Sequence, residues 1–278
     1  RPLALGKLGD AWVVASETCA FDLIGAEYVR DVEPGEILFI TNNGIEVDSF
    51  APAEKRAMCA MEYVYFARPD SNIDGVNVHM ARKRMGRELA REVAGIEADV
   101  VTGVPDSSLS SAIGFAEESG IPYELGLIKN RYVGRTFIQP TQELRERGVK
   151  MKLSPVVQVV KGKRVIMVDD SIVRGTTSRR IVRLLKEAGA AEVHVMITSP
   201  PMTNPCFYGI DTSTPEQLIA SSKNVEQIRE AIEADTLTFL TVEGMVRATA
   251  RPFDDEDGGL CMACFTGKYP TEIFPDTV

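Results

Sequence analysis

The stretch Val165–Ser178, VIMVDDSIVRGTTS, narrows the possible folds of this chain more than any other segment. Val165, Ile166, Met167 and Val168 run without polar alternation, the pattern of a strand covered on both faces in the middle of a parallel sheet. Asp169 and Asp170 fall at the carboxyl end of that strand, the edge where open α/β sheets bind ligands. Gly175, Thr176, Thr177 and Ser178 follow as the chain turns into a segment where Ile181, Leu184, Leu185 and Ala188 recur at helical spacing. Unpaired N–H groups at such a helix start attract phosphate. The string therefore predicts acids for sugar hydroxyls or a metal, directly followed by a phosphate cradle. An isolated Asp-Asp pair would predict only a solvated turn.

The flanking segments repeat the α/β pattern. Asp99–Val104 reads as an apolar strand ending in Pro105-Asp106-Ser107-Ser108, with a helix over Ser111–Glu118. Tyr123–Ile128 reads as the next strand, and Glu192–Thr198 as a further one. Met85, Leu89 and Val93 share one face of a helix that starts near Val76. Residues 224–250 read as helix, strand and helix, suited to a hood, an interface or ordinary core. Between Ile128 and Val156 lies a long basic loop, and loops of that length inside a domain are usually functional or disordered. Its Lys129, Arg131 and Arg135 stand out in an acidic chain and suit an anionic substrate. The first 48 residues differ: short strands broken by Pro34-Gly35 and Asn42-Asn43-Gly44 suggest the end of an all-β or α+β layer.

Composition removes several classes. With 278 residues and 44% hydrophobic residues, one large or two modest cores are expected, and a formal net charge of -9 argues against a nucleic-acid binder. No apolar run is long enough to span a bilayer and no signal-like start is present, so a cytoplasmic protein is expected. Neither a GKS/GKT phosphate loop nor a Rossmann glycine triplet opens a helix. His79 and His194 lie outside every motif. Five cysteines in such a chain do not suggest structural disulfides. Cys261-Met262-Ala263-Cys264 alone fits a zinc knuckle, a redox pair or chance.

The string Val165–Ser178 closely resembles the phosphoribosyl pyrophosphate (PRPP) signature of type I phosphoribosyltransferases. PDSS at Pro105–Ser108 and the basic loop match that family in order and placement. RPLALG, SETCAFD, NRYVGRTFIQP, SPP and CFYGID extend the resemblance over essentially the whole chain to the glutamine PRPP amidotransferase family. The resemblance implies an α/β type I phosphoribosyltransferase fold, a parallel sheet flanked by helices, preceded by the C-terminal remnant of an α+β N-terminal nucleophile hydrolase domain. The expected division is residues 1–48 for that remnant, 49–76 for a junction, and 77–278 for the phosphoribosyltransferase domain with a C-terminal extension.

The implied reaction is displacement of pyrophosphate from PRPP by ammonia, the first committed step of purine biosynthesis. The implied PRPP contacts are Asp106, Ser107, Ser108, Asp169, Asp170, Ser171, Arg174, Gly175, Thr176, Thr177 and Ser178, with Mg²⁺ at Ser107, Asp169 and Asp170. Lys129, Arg131 and Arg135 would neutralise the leaving group. Cys59, Cys206, Cys261 and Cys264 match positions that hold a 4Fe-4S cluster in the family, leaving Cys19 as a buried small hydrophobe. Feedback inhibition by AMP, ADP or GMP and a homotetramer are also implied. Arg1 cannot be a catalytic cysteine, so the sequence predicts use of free ammonia, with glutamine dependent on a glutaminase domain absent here. Apolar strand residues Ile37, Leu38 and Ile40 would then lie uncovered. A purine-salvage phosphoribosyltransferase and a non-enzymatic PRPP-sensing regulator share the PRPP string. The former gives the four cysteines no purpose, and the latter usually carries a nucleic-acid-binding segment not found here.

Overall fold

In the computed structural model, the structure describes residues 2–41, 43–50, 56–130, 153–212, 214–251 and 259–273. The first layer is antiparallel. β1 (Ala4–Leu8) pairs with β2 (Ala11–Ala15) and, beyond the short helix α1 (Cys19–Ile24), with β3 (Glu27–Asp31). Gly25, in the left-handed region at φ 71°, ends α1, and β4 (Glu36–Thr41) and β5 (Gly44–Ser49) form a separate hairpin. Leu5, Cys19 and Phe21 are the buried anchors of this layer.

The next segment has little periodicity because it is buried nearly all round. β6 (Ala57–Cys59) leads into a π-helical turn at Glu62–Phe66, and Ala60, Met61, Tyr63, Val64 and Ala67 join the main core. A small hairpin, β7 (Asn72–Ile73) with β8 (Val76–Asn77), delivers the chain to α2 (Val78–Glu92). The Asn77 side chain accepts from the Met80 N–H and caps that helix. After β9 (Val100–Gly103), α3 (Leu109–Ser119) packs on α2 at the closest possible range. A Cβ on Gly86 would stand 1.9 Å from the Ser111 carbonyl oxygen, and one on Gly114 1.9 Å from that of Lys83. Only hydrogen at both positions lets the two backbones meet.

The predicted strand Tyr123–Ile128 divides. Tyr123 bridges Val101 in parallel beside β9, and the Gly126 N–H donates to Thr102 Oγ1 at 2.9 Å. The chain then leaves the sheet, and β10 (Leu127–Lys129) pairs antiparallel with β11 (Leu153–Pro155). A short helix, α4 (Val157–Val160), precedes β12 (Arg164–Asp169), α5 (Thr176–Glu187) and β13 (Glu192–Ile197). Beyond α6 (Ile219–Ser222) come α7 (Val225–Ile232), β14 (Thr236–Phe239) and α8 (Val242–Thr249). This last trio is core: Ile228, Ile232, Leu237, Phe239, Met245 and Ala248 are buried, and β14 extends the parallel sheet.

That sheet runs β14-β13-β12-β9, with Tyr123 beyond β9. In chain order this is 2-1-3-4-5, so the direction of winding reverses between β9 and β12. Open α/β sheets bind ligands at the carboxyl ends of strands flanking such a reversal. Near the end of the described chain, β15 (Gly259–Cys261) pairs in parallel with β6, and α9 (Ala263–Thr266) follows.

Candidate phosphoribosyl site and cysteine cluster

Asp169 ends β12 and Asp170 follows it, opposite the loop after β9. Because the two strands are parallel neighbours, their carboxyl ends bring residues 104–108 and 169–171 together. Asp169 Oδ1 accepts from Ser108 Oγ at 3.1 Å and from the Asp170 N–H at 2.9 Å. Asp170 Oδ1 accepts from Ser171 Oγ at 2.7 Å, and Ser107 Oγ lies 3.4 Å from Ser108 Oγ. Both acids are 7% exposed. Burial, then the charge of Asp170, pushes the Asp169 carboxyl well above its ordinary range. Burial raises Asp170 too, opposed by Ser107, Ser171 and the Arg82 guanidinium. A buried pair of this kind favours a cation beside it.

The turn after the acids is shaped by Gly175, which takes φ 76° and caps α5. A Cβ there would lie 2.9 Å from Ile219 Cδ1. Thr176 and Thr177 are exposed and Ser178 is buried, and Arg174 donates through Nη2 to Gln217 Oε1 at 3.0 Å. The first N–H groups of the twelve-residue α5 thus open beside the acids. Lys129, at the end of β10, reaches Asp106 Oδ2 at 2.6 Å, joining the basic loop's first residue to the β9 loop. Arg131 and Arg135 lie outside the described residues.

The four predicted cysteine positions also converge. Cys59 and Cys261 are direct partners in the β6–β15 pair, and Cys264 lies in α9. The Cys264 carbonyl accepts from the N–H groups of Thr203 and Asn204, each at 3.0 Å, and draws the Cys206 segment alongside. Cys206 Sγ accepts from the Tyr208 N–H at 3.4 Å. Burial pushes the Cys59 thiol up to about 11 and raises Cys261 and Cys264, with the charges of the neighbouring cysteines adding to the rise. Cys19 lies apart in the first layer, its Sγ donating to Glu17 Oε2 at 3.8 Å. Among the described residues, no group of three or more His, Cys, Asp or Glu side chains is gathered closely enough for a single metal ion.

Arg82 was not foreseen as part of this region. It is 2% exposed on α2, and its guanidinium acts on Asp170. The available signal was its spacing, in step with Val78, Met85 and Leu89 on the buried helix face. His79 bonds to Ser110 through Nδ1 at 2.9 Å and His194 to Thr236 through Nδ1 at 3.0 Å, both as structural contacts. A separate cleft of about 440 Å³, lined mainly by apolar groups including Pro200, Leu237, Phe239 and Phe265, lies beyond the ends of β13 and β14.

Residues 74–202 match the phosphoribosyl transferase domain, the class that the winding reversal, the acid pair and the phosphate turn define. Within that class, the chain is similar along its whole length to amidophosphoribosyltransferases. It is 68% identical over its full 278 residues to amidophosphoribosyltransferase of Bacillus subtilis (strain 168), covering 58% of that protein. It is 54% identical over 275 residues, 99% of the chain, to amidophosphoribosyltransferase of Staphylococcus aureus (strain Mu50), covering 56% of it. A solved structure of glutamine PRPP amidotransferase from B. subtilis complexed with ADP and GMP superposes with a TM-score of 0.93 at 68% identity, over 100% of this chain and 61% of that one. The chain thus spans somewhat more than half the length of the relatives it matches. No helix among the described residues is long and apolar enough to cross a membrane.

Proposed function

We propose that this chain carries the phosphoribosyl-transferring part of an amidophosphoribosyltransferase, converting PRPP and ammonia to 5-phosphoribosylamine and pyrophosphate in purine biosynthesis. The observation that carries this reading is the buried Asp169–Asp170 pair at the winding reversal, opening directly onto the N-terminus of α5. The acids accept the ribose hydroxyls, and the N–H groups from Val173 to Ser178 hold the 5-phosphate. Ser107 and Ser108 face the departing pyrophosphate, while Lys129 exchanges its Asp106 contact for that anion. In this reading Arg131 and Arg135 add positive charge, and closure of their loop excludes water as a competing nucleophile.

The hard oxygens of Asp169, Asp170 and Ser107 suit Mg²⁺, which usually binds through one or two carboxylates together with substrate phosphates. Once bound, Mg²⁺ would neutralise charge developing on the leaving group. The chemistry of four converging thiols at Cys59, Cys206, Cys261 and Cys264 suits a 4Fe-4S cluster, which spreads its ligands wider than a single ion does. That role is structural, tying β6 to β15 and the Cys206 segment. Free ammonia serves as acceptor, or ammonia derived from glutamine in a longer protein. The ADP and GMP complex of a relative supports purine nucleotides as regulatory ligands here, and the reading extends to AMP as an inhibitor, a homotetramer and a place in the cytoplasm.

Anaerobic incubation with PRPP and Mg²⁺, supplying ammonia, glutamine or a purine base, separates the readings by pyrophosphate release. Release with ammonia supports the proposal; release only with a base points to salvage, and binding without release to a regulator. Iron and sulfide analysis of the same sample tests the cysteines, and zinc without sulfide would overturn the cluster.

A further inference from the structure

The turn that follows the acid pair is held from outside by residues 215–222. The Ile219 N–H donates to the Val173 carbonyl at 2.8 Å. Ile219 is the first residue of α6, a position whose N–H has no partner within its own helix. The Val173–Arg174 peptide is trans, so its C=O and N–H point opposite ways, and fixing the carbonyl on α6 turns the Arg174 N–H away from α6. The Ile219 side chain fills the space beside Gly175: a Cβ there would stand 2.9 Å from Ile219 Cδ1 and 3.5 Å from Ile232 Cγ2. On either side, Arg174 Nη2 donates to Gln217 Oε1 at 3.0 Å, and Arg179 of α5 donates through Nη2 to Glu233 Oε1 at 2.6 Å. The segment is itself well anchored. Leu218, 1% exposed, belongs to one core cluster while Ile219 packs against the other, and Ser221 Oγ donates to the Pro215 and Leu218 carbonyls at 2.7 and 2.8 Å.

We propose that α6 is the buttress of the phosphate turn and that Ile219 is a positioning residue for PRPP. Its N–H fixes the Val173–Arg174 peptide with the carbonyl toward α6, and its side chain backs Gly175 at φ 76°. The N–H groups that open α5 therefore stand in a set arrangement before phosphate arrives, and donors placed in advance need no rearrangement when the charge enters. The residue at the head of α5 is Gly175, which has no side chain to occupy those donors itself. Were the Val173 carbonyl released, the same peptide could turn its oxygen toward the phosphate, replacing an attraction by a repulsion. The inference rests on the reading of Val173–Ser178 as the site of the PRPP 5-phosphate.

The test uses the full chain with Ile219→Pro, Ile219→Ala and Ile219→Val, and calorimetric binding of PRPP and of pyrophosphate, each with Mg²⁺. Proline suits the first position of a helix and lacks the N–H, and Leu218 before it is already extended at φ -104° and ψ 113°, so the substitution removes the bond to Val173 without breaking α6. Ile219→Pro should weaken PRPP binding about tenfold or more, the scale of one hydrogen bond to a charged group. Ile219→Ala keeps the N–H and should weaken it by a smaller factor, which Ile219→Val should restore. Pyrophosphate has no 5-phosphate and should bind the wild type and every variant alike. Unchanged PRPP binding in Ile219→Pro, or a matching loss of pyrophosphate binding, overturns the inference. Should Ile219→Pro not fold, Ile219→Ala decides, and PRPP binding equal to the wild type overturns the inference there too. A wild-type chain that binds no PRPP overturns the proposed function and this inference with it, whereas wild-type binding with unaffected variants overturns the inference alone.

Discussion

The first antiparallel layer and the central parallel sheet solve burial in opposite ways. In β12 and β13, Val165, Ile166, Met167, Val168, Val193, Val195 and Ile197 are almost entirely buried, with helices on both faces. In the first layer, Leu23 is 72% exposed, Val47 59% and Phe50 74%, and Phe39 and Ile40 also face outward. Hydrophobic content alone therefore does not locate stability; two-sided cover does. The contrast also separates two kinds of polar group. Charges of the first layer mostly meet at its surface, as in the Arg30–Glu36 pair, whereas the sheet encloses Asp169 and Asp170.

The sharpest break of that contrast is Ile166→Ala, which should cost about 3–4 kcal/mol in urea unfolding, through lost burial and the cavity left behind. A cost below about 1 kcal/mol would show that the central sheet is not the stable part of the molecule.

Asp169→Asn should act in two directions. Both acids have pKa values raised in the folded chain, so between the unfolded value of 3.8 and those raised values the folded state binds more protons. Stability from this pair is thus greatest at acid pH and falls as pH rises through that window. Removing one charge should stabilise the metal-free chain at neutral pH by roughly 1–2 kcal/mol while eliminating Mg²⁺-dependent PRPP binding. Stability that is unchanged, or lower at pH 7 in an otherwise intact fold, would contradict the electrostatic reading.

Glu17→Ala should have a smaller effect, about 1 kcal/mol, since it removes the acceptor for Arg68 and Ser71 that links the two regions. Proteolysis should then cut near residues 68–72 sooner than in the wild type. Smallest of all, Phe39→Ser should shift unfolding by no more than about 0.5 kcal/mol, because the side chain is already 49% exposed. Sedimentation should detect less self-association, and a large loss of stability would mean that this face is covered.

The parts legible in sequence were those that local patterns encode. Unbroken apolar runs marked β9, β12 and β13, and the Asp-Asp turn marked the carboxyl edge of the sheet. Tyr123–Ile128 misled because its second half pairs with Leu153–Pro155, a long-range choice that no local period records. The turn at Glu62–Phe66 was hidden because burial on nearly every side leaves no amphipathic signal. α1 has only six residues, too short for one to emerge. Within the site, the Ser108–Asp169 bond spans 61 positions and depended on knowing that β9 and β12 are neighbours. Arg82 was visible as a charge on an apolar helix face, but only the fold showed that its guanidinium donates to the Tyr63 and Ala67 carbonyls.

The pairing of Cys59 with Cys261 has a topological consequence. Everything from α2 through α8, including the whole parallel sheet, lies inside the loop that those two residues close. A covalent bridge at this point, such as an iron–sulfur cluster, would act chiefly on the unfolded chain, where it forbids the widest separations. For a loop this long the chain-entropy estimate is on the order of 5 kcal/mol. Losing the bridge would then lower the stability of the entire enclosed sheet at once, and the support of the acid pair would weaken with no change at Asp169 or Asp170.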